Sequence, residues 1–281
     1  MSGQRGFEEL LAEGAAVPVR GWDFSWLRGR ATEERPSWGY ARLVATRMAL
    51  ADAALDVDTG GGEVLAEVPR PPRVLLATEA WPPNVEVARR TLAPLGATVL
   101  HVAEGGGLPV RDAVLELVVS RHPVHTPWEE VARVLRPGGT FLSQQIRGGT
   151  VQELSEALLG PLPPPRRQLP EQAVAAARAA GLTVIDLREA TLRTVFHDIA
   201  AVVYFLRKVV WTVPGFTVQR YRPQLARLNA RIEAEGPFVA HARRFLIEAT
   251  KLPSPGLPAR HRPADVARHL PAGMARHLPA R

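Results

Sequence analysis

The chain contains no cysteine. Disulfides, Cys-based zinc sites, iron–sulfur clusters and a thiol nucleophile are therefore excluded, and the composition suits a reducing compartment. No run approaches 18 consecutive apolar residues, so no membrane-spanning helix is expected. The first twenty residues carry Glu8, Glu9 and Glu13 and lack the basic-then-apolar order of a secretory signal. Together these absences predict a soluble, cytoplasmic protein. Histidines and acids do not fall at metal-ligand spacing either, and no metal is expected. What is present is 281 residues, 46% hydrophobic and 22% charged, enough for one large globular domain or a domain with an added cap.

The formal charge of +7 invites a search for a nucleic-acid surface, but its distribution argues otherwise. Residues 252–281 hold Arg260, Arg262, Arg268, Arg276 and Arg281 against the single acid Asp265, leaving only +3 for the rest of the chain. The same stretch repeats Ala-Arg-His at 259–261, 267–269 and 275–277 with prolines between. That pattern suits neither a helical face nor a strand, and predicts a disordered, low-complexity basic tail.

From residue 53 onward, short β-rich runs alternate with runs of helical period, the signature of crossover units on a parallel sheet. Strands are expected at 53–59, 73–78, 97–103, 115–121, 140–146, 182–187 and 238–250. Helices are expected after the glycine run at 60–62 and over 83–95, 128–135, 150–159, 168–180, 199–206 and 218–232. At 83–95, Val85, Ala88, Leu92 and Leu95 form one apolar stripe. The reading is an α/β, doubly wound, seven-stranded, mostly parallel sheet over 53–251. Residues 1–52 stand outside the rhythm. They gather Trp22, Phe24, Trp26, Trp38 and Tyr40 within nineteen residues, which predicts an aromatic-rich N-terminal cap.

The sharpest local signal is Leu55-Asp56-Val57-Asp58-Thr59-Gly60-Gly61-Gly62-Glu63 at the end of the first expected strand. Glycines at a strand-to-helix turn let backbone approach a ligand and leave amides free to meet negative charge. The second strand ends in Glu79, twenty-one residues after Asp58, where an acid can take both hydroxyls of a ribose.

These residues resemble the class I S-adenosylmethionine-dependent methyltransferases, in the family's order, from Leu55 to Ile146. The glycine turn looks like the family's first motif, and Ala77-Thr78-Glu79-Ala80-Trp81 like its ribose-binding strand end. Glu104 followed by Leu108-Pro109 is similar to the segment whose acid meets the adenine amino group. Glu116-Leu-Val-Val-Ser-Arg-His122 resembles the fourth strand with its exit toward the reacting methyl, and Val134-Leu-Arg-Pro-Gly-Gly-Thr140 the turn before the fifth. The sequence departs from the family at Asp58, where the family's pattern has glycine, and at Gly105-Gly106-Gly107, where residues with side chains are usual.

The resemblance implies S-adenosylmethionine as cofactor, held by Asp56, Asp58, Thr59, Gly60, Gly62, Glu79, Ala80, Trp81, Glu104, Gly105 and Arg121, with Trp81 covering the adenine. His122 and His125, on the loop after the fourth strand, are candidate proton acceptors, since imidazole titrates near neutrality. His122 could equally hydrogen-bond loop backbone. Trp22, Trp26, Trp38, Tyr40 and His197 are candidates to line a substrate chamber, plain packing being the alternative for the aromatics, and Asp198 reads as a helix cap. The expected activity is methyl transfer to an oxygen or nitrogen of a small molecule. An rRNA or tRNA acceptor is the alternative, drawing on Arg28, Arg30, Arg35 and Arg42 among the aromatics. Cofactor binding without methyl transfer is a third reading, motivated by Asp58. A monomer or homodimer that meets no membrane is expected.

Overall fold

The computed structural model describes residues 5–19, 23–103 and 105–253. The arginine–histidine repeat, and with it nearly all of the expected tail, lies outside these residues, as do Trp22 and Glu104. Strands β1 (Ala31–Glu33), β2 (Ala53–Val57), β3 (Val74–Glu79), β4 (Thr98–His101), β5 (Leu115–Arg121), β6 (Leu135–Ile146), β7 (Thr183–Phe196) and β8 (Phe238–Thr250) form one sheet. Their order is β1-β7-β8-β6-β5-β2-β3-β4. The helices are α1 (Phe7–Ala16), α2 (Tyr40–Met48), α3 (Glu63–Ala66), α4 (Pro82–Leu92), α5 (Trp128–Val134), α6 (Gln152–Leu159), α7 (Pro170–Ala179), α8 (Ile199–Lys208) and α9 (Arg222–Glu235).

The sheet therefore has eight strands and not the seven expected. The additional strand is β1, which pairs antiparallel with the end of β7, Ala31 opposite Phe196 and Glu33 opposite Thr194. Three residues are too few to show a period in sequence, and partners some 160 positions away define the strand. β7 is also longer than expected, running on to Phe196. β6 starts at Leu135, so the Pro-Gly-Gly read as a turn falls within the strand, near a register irregularity opposite Leu115–Leu117.

By internal contacts the chain divides into two compact units whose segments interleave in sequence. One takes Ser37–Ile146, Arg167–Glu189 and, of the described residues beyond, Phe245–Pro253. Its strands β4, β3, β2, β5 and β6 are mutually parallel. Every residue of β2 and β3 is buried, as expected for parallel strands covered on both faces, and this produces their near-continuous apolar runs. Leu55, Val57, Leu76, Val118 and Phe141 form the heart of its core, with the Trp128 ring meeting Phe141 edge-on at 5.2 Å. Pro82 and Pro83 start α4, which buries Val85, Ala88 and Leu92, three positions of the stripe read from sequence.

The other unit takes the residues up to Pro36, Arg147–Arg166 and Ala190–Arg244. Its core centres on α8, buried at eight of ten positions, against α1 and α9. Helices α1 and α8 approach closely at Gly14, where a Cβ would fall 2.5 Å from the Ala200 carbonyl oxygen, so only glycine fits. The aromatic N-terminal segment is thus shared: Trp26 lies in this unit, whereas Trp38, Tyr40 and α2 belong with the parallel strands.

Helix α2 is fastened to β8 by a two-pronged ion pair. Arg47 Nε donates to Glu248 Oε1 at 2.9 Å and Nη2 to Oε2 at 3.0 Å. Glu248 is buried, while the arginine side chain is 38% exposed. Arg47→Ala would strand a buried carboxylate, and solvent screening of the exposed partner reduces the loss to about 1–3 kcal/mol. A fall of a few degrees in Tm is expected, and an unchanged Tm would show that the pair contributes nothing to holding α2.

Candidate functional site

From β2 the chain winds outward through β3 and β4, then returns to lay β5 on the other side of β2 and winds outward again through β6. Connections therefore leave the C-terminal ends of β2 and β5 in opposite directions, which opens a crevice between them. Asp58–Gly62 follows β2 and His122 follows β5, so both border that crevice. Ser120 Oγ donates to the Val57 carbonyl at 2.9 Å and ties the two strand ends together.

The turn after β2 is built from left-handed backbone. Asp58, Gly60 and Gly62 have φ of 57°, 63° and 82°. At Gly62 glycine is required twice over, since a Cβ would also fall 2.8 Å from Leu92 Cγ. Aspartate is among the residues that tolerate this region, so Asp58 keeps the conformation glycine would take. Thr78 holds the turn from the side, its Oγ1 accepting from Asp58 N at 3.3 Å and its carbonyl from Thr59 N at 2.9 Å.

Glu79, 7% exposed, closes the arrangement. One carboxylate oxygen accepts from Gly60 N at 2.8 Å and the other from Trp81 N at 2.9 Å, so a single side chain fixes the turns after β2 and β3. Trp81 is half exposed, and the Ala80 carbonyl accepts from His101 Nε2 at 3.0 Å. Asp56 lies buried beneath the turn and accepts from Thr59 Oγ1 at 2.7 Å. Burial, then the charges of Asp58 and Glu79, push its carboxyl up to about 7, against relief from the Thr59 hydroxyl and Arg121. The Tyr40 hydroxyl, also buried, has no hydrogen-bond partner among the described residues. Burial and the charge of Asp56 hold its ionisation well above the usual phenol range.

On the other side of the crevice, His122 has φ of 57° and its amide donates to the Gln144 carbonyl at 2.7 Å. Trp38 Nε1 donates to Gln144 Oε1 at 2.8 Å, and Gln144 Nε2 lies 2.9 Å from His122 Nε2. Gln145 Nε2 donates to Thr126 Oγ1 at 3.0 Å and steadies the same loop, on which His125 is exposed. The loop after Gly105 is clamped from α5. Glu130 Oε2 accepts from Leu108 N, and Arg133 donates to the carbonyls of Leu108 and Val110. The hydrogen bond from Arg133 holds the Glu130 carboxyl below its usual range.

The structure thus brings Asp56, Asp58, Thr59, Gly60, Gly62, Glu79, Ala80, Trp81, Arg121, His122, Trp38 and Tyr40 into one unit at the ends of three adjacent strands. Trp26 and His197 belong to the other unit. There Trp26 packs on Tyr204 at 5.0 Å beneath the Arg30 guanidinium, and His197, exposed, donates its amide to the Arg30 carbonyl. Asp198 caps α8 by accepting from Ala201 N at 2.8 Å. Sequence reading missed Thr78, Gln144, Gln145, Glu130 and Arg133. Two adjacent glutamines near the end of β6 were the available signal. Among the described residues no group of histidines and acids could hold a metal, and no helix is long and apolar enough to cross a membrane.

Residues 55–143 match the family model described as a methyltransferase domain. No curated protein sequence matches the chain. Three solved structures share the fold. A methyltransferase candidate of Bacillus halodurans C-125 aligns with TM-score 0.56 and 16% identity over 78% of this chain and 99% of its own. The YcgJ protein of Bacillus subtilis gives 0.53 and 16% over 76% and 99%. A Deinococcus radiodurans R1 protein of unknown function gives 0.52 and 15% over 88% and 99%. At these identities the likeness concerns the fold alone.

The buried acid makes a prediction independent of any ligand. Asp56 keeps its proton up to about pH 7 when folded, against an ordinary 3.8 in the open chain. The unfolded state therefore releases this proton first, and the group costs stability as pH rises from about 4 to 7, with no further change above. Asp56→Asn keeps an oxygen for the Thr59 hydroxyl and removes the cost. Its stability relative to the parent should grow by about 2–4 kcal/mol between about pH 4 and pH 8, read by denaturant unfolding. A difference that does not vary with pH would contradict the buried setting of Asp56.

Proposed function

We propose that this chain, which carries a class I S-adenosylmethionine-dependent methyltransferase domain, transfers the methyl group of that cofactor to an oxygen or nitrogen of a small molecule. The observation that carries this reading is the Glu79 carboxylate, held by the amides of Gly60 and Trp81 at the mouth of the crevice. A carboxylate has about four acceptor positions. Two are taken by backbone, which leaves one on each oxygen for the paired hydroxyls of a ribose.

The remaining residues fit the cofactor in charge and shape. Asp58 and Glu79, whose charges are felt by the buried Asp56, place negative charge beside a glycine turn, which suits a ligand bearing a sulfonium and an ammonium. The unpartnered Tyr40 hydroxyl offers a donor in the same buried region, and the half-exposed Trp81 indole offers a face to the adenine. The bound cofactor supplies a methyl already activated on sulfur, so the protein's task is to align the acceptor and manage one proton. The loop carrying His122 and His125 borders the crevice where that task falls.

A small acceptor is preferred to RNA for two reasons. The charge outside residues 252–281 is only +3. Arg30, one of the arginines a base-stacking surface would use, is committed to Glu13 and Asp198.

Titration calorimetry with S-adenosylmethionine tests the cofactor reading. Glu79→Ala should weaken binding by about 1–3 kcal/mol through loss of a buried charged acceptor. Unchanged affinity in a folded variant would remove Glu79 from the site. Mass spectrometry of a cell extract given the protein and methyl-labelled cofactor would identify the acceptor, and label appearing in RNA would overturn the small-molecule reading.

A further inference from the structure

The environment of His122 specifies more than its position. An indole N–H can only donate, so the Gln144 amide must turn its oxygen toward Trp38 Nε1, 2.8 Å away. Its NH2 group then faces His122 Nε2 at 2.9 Å and donates to it. A ring nitrogen that accepts a hydrogen bond carries no proton. The neutral imidazole must therefore hold its hydrogen on Nδ1. Trp38 and Gln144 are 8% and 4% exposed, so the chain that dictates this tautomer is buried.

Protonating Nε2 would require the Gln144 amide to turn over. Its NH2 would then meet the Trp38 N–H, two buried donors face to face, and the hydrogen bond to Trp38 would be lost. The backbone reinforces the lock, because the His122 amide is bound to the carbonyl of the same Gln144. A left-handed φ of 57° on a histidine persists where surroundings impose it, and such strain gathers at functional positions.

We infer that Trp38 and Gln144 are positioning residues that hold His122 as its neutral Nδ1–H tautomer with Nε2 already accepting from Gln144, so that neither ring nitrogen takes the acceptor's proton. The inference deepens the proposed function and, for the role toward a ligand, rests on it. It takes from His122 the role of base expected from sequence. The acceptor's proton then goes to water or to the exposed His125 of the same loop, or the acceptor arrives already deprotonated and needs only alignment.

The tautomer can be read on the protein alone. In 15N-histidine-labelled protein near neutral pH, two-bond 1H–15N correlations should show His122 with an unprotonated Nε2 and a protonated Nδ1. Gln144→Glu keeps an oxygen for Trp38 but sets a carboxylate opposite Nε2, and should switch that nitrogen to its protonated signature. An Nε2–H tautomer or an imidazolium in the parent protein, or an unaltered ring in a folded Gln144→Glu, would overturn the lock. None of these outcomes depends on cofactor binding.

The loss of the base role is read with labelled S-adenosylmethionine and cell extract as the probe. His122→Asn suits left-handed backbone and supplies no base. It should retain label transfer within about tenfold of the parent, and a loss of about 10²-fold or more in the folded variant would overturn that part of the inference. No transfer by the parent protein would instead count against the proposed function.

Discussion

Parallel neighbours cannot be joined by tight turns, so each crossover must leave from one strand's C-terminal end and return to the N-terminal end of the next. Between β2 and β5 this constraint has a consequence, because the two strands are adjacent and parallel while their connections depart to opposite sides. The left-handed turn at Asp58–Gly62, the buried acids Asp56 and Glu79, and the left-handed His122 gather at these strand ends. The apolar strands that fix them, β2 and β3 without an exposed residue, form a rigid support for groups whose own interactions are unfavourable.

Those unfavourable interactions are electrostatic. Asp56, Asp58 and Glu79 lie close enough for the charges of the latter two to raise the first. A cluster of acids costs less when some of its oxygens are hydrogen-bonded, and Glu79 is bound by two amides where Asp56 has one hydroxyl. The two acids therefore divide the work. Glu79 remains an acceptor that fixes two turns, and Asp56 is the group whose charge the site resists. The unpartnered Tyr40 hydroxyl stands beside that resisted charge, and Arg47 on Glu248 holds the helix that carries it.

How much of this was legible in the sequence depended on the range of the interactions involved. β2, β3 and β5 could be read because burial on both faces writes continuous apolar runs, and α4 because its stripe repeats at helical spacing. The glycine turn and Glu79 could be read because their residue types answer a local backbone demand. β1 could not, since its three residues acquire strand geometry only by pairing with Thr194–Phe196. Nor could the tie from Trp38 to Gln144, which spans 106 positions, or the clamp of Arg133 on the carbonyls of Leu108 and Val110. Trp38 was singled out for its ring, but its indole N–H does the work. The segment read as one aromatic cap divides between two units because composition reports how apolar a segment is and not which core receives it.

The departure from family pattern at Asp58 can now be placed in physical terms. Two properties distinguish glycine from aspartate at that position, conformational freedom and the absence of a charged side chain. The first is conserved in effect, since Asp58 takes φ of 57° and the amides of Asp58, Thr59 and Gly60 all find the partners the turn provides on Thr78 and Glu79. The second is not, because the Asp58 carboxylate adds to the charge felt by Asp56. The substitution thus leaves the shape of the turn intact and alters its potential. A ligand bearing positive charge gains from that change, and one bearing only negative charge at this end of the crevice loses by it.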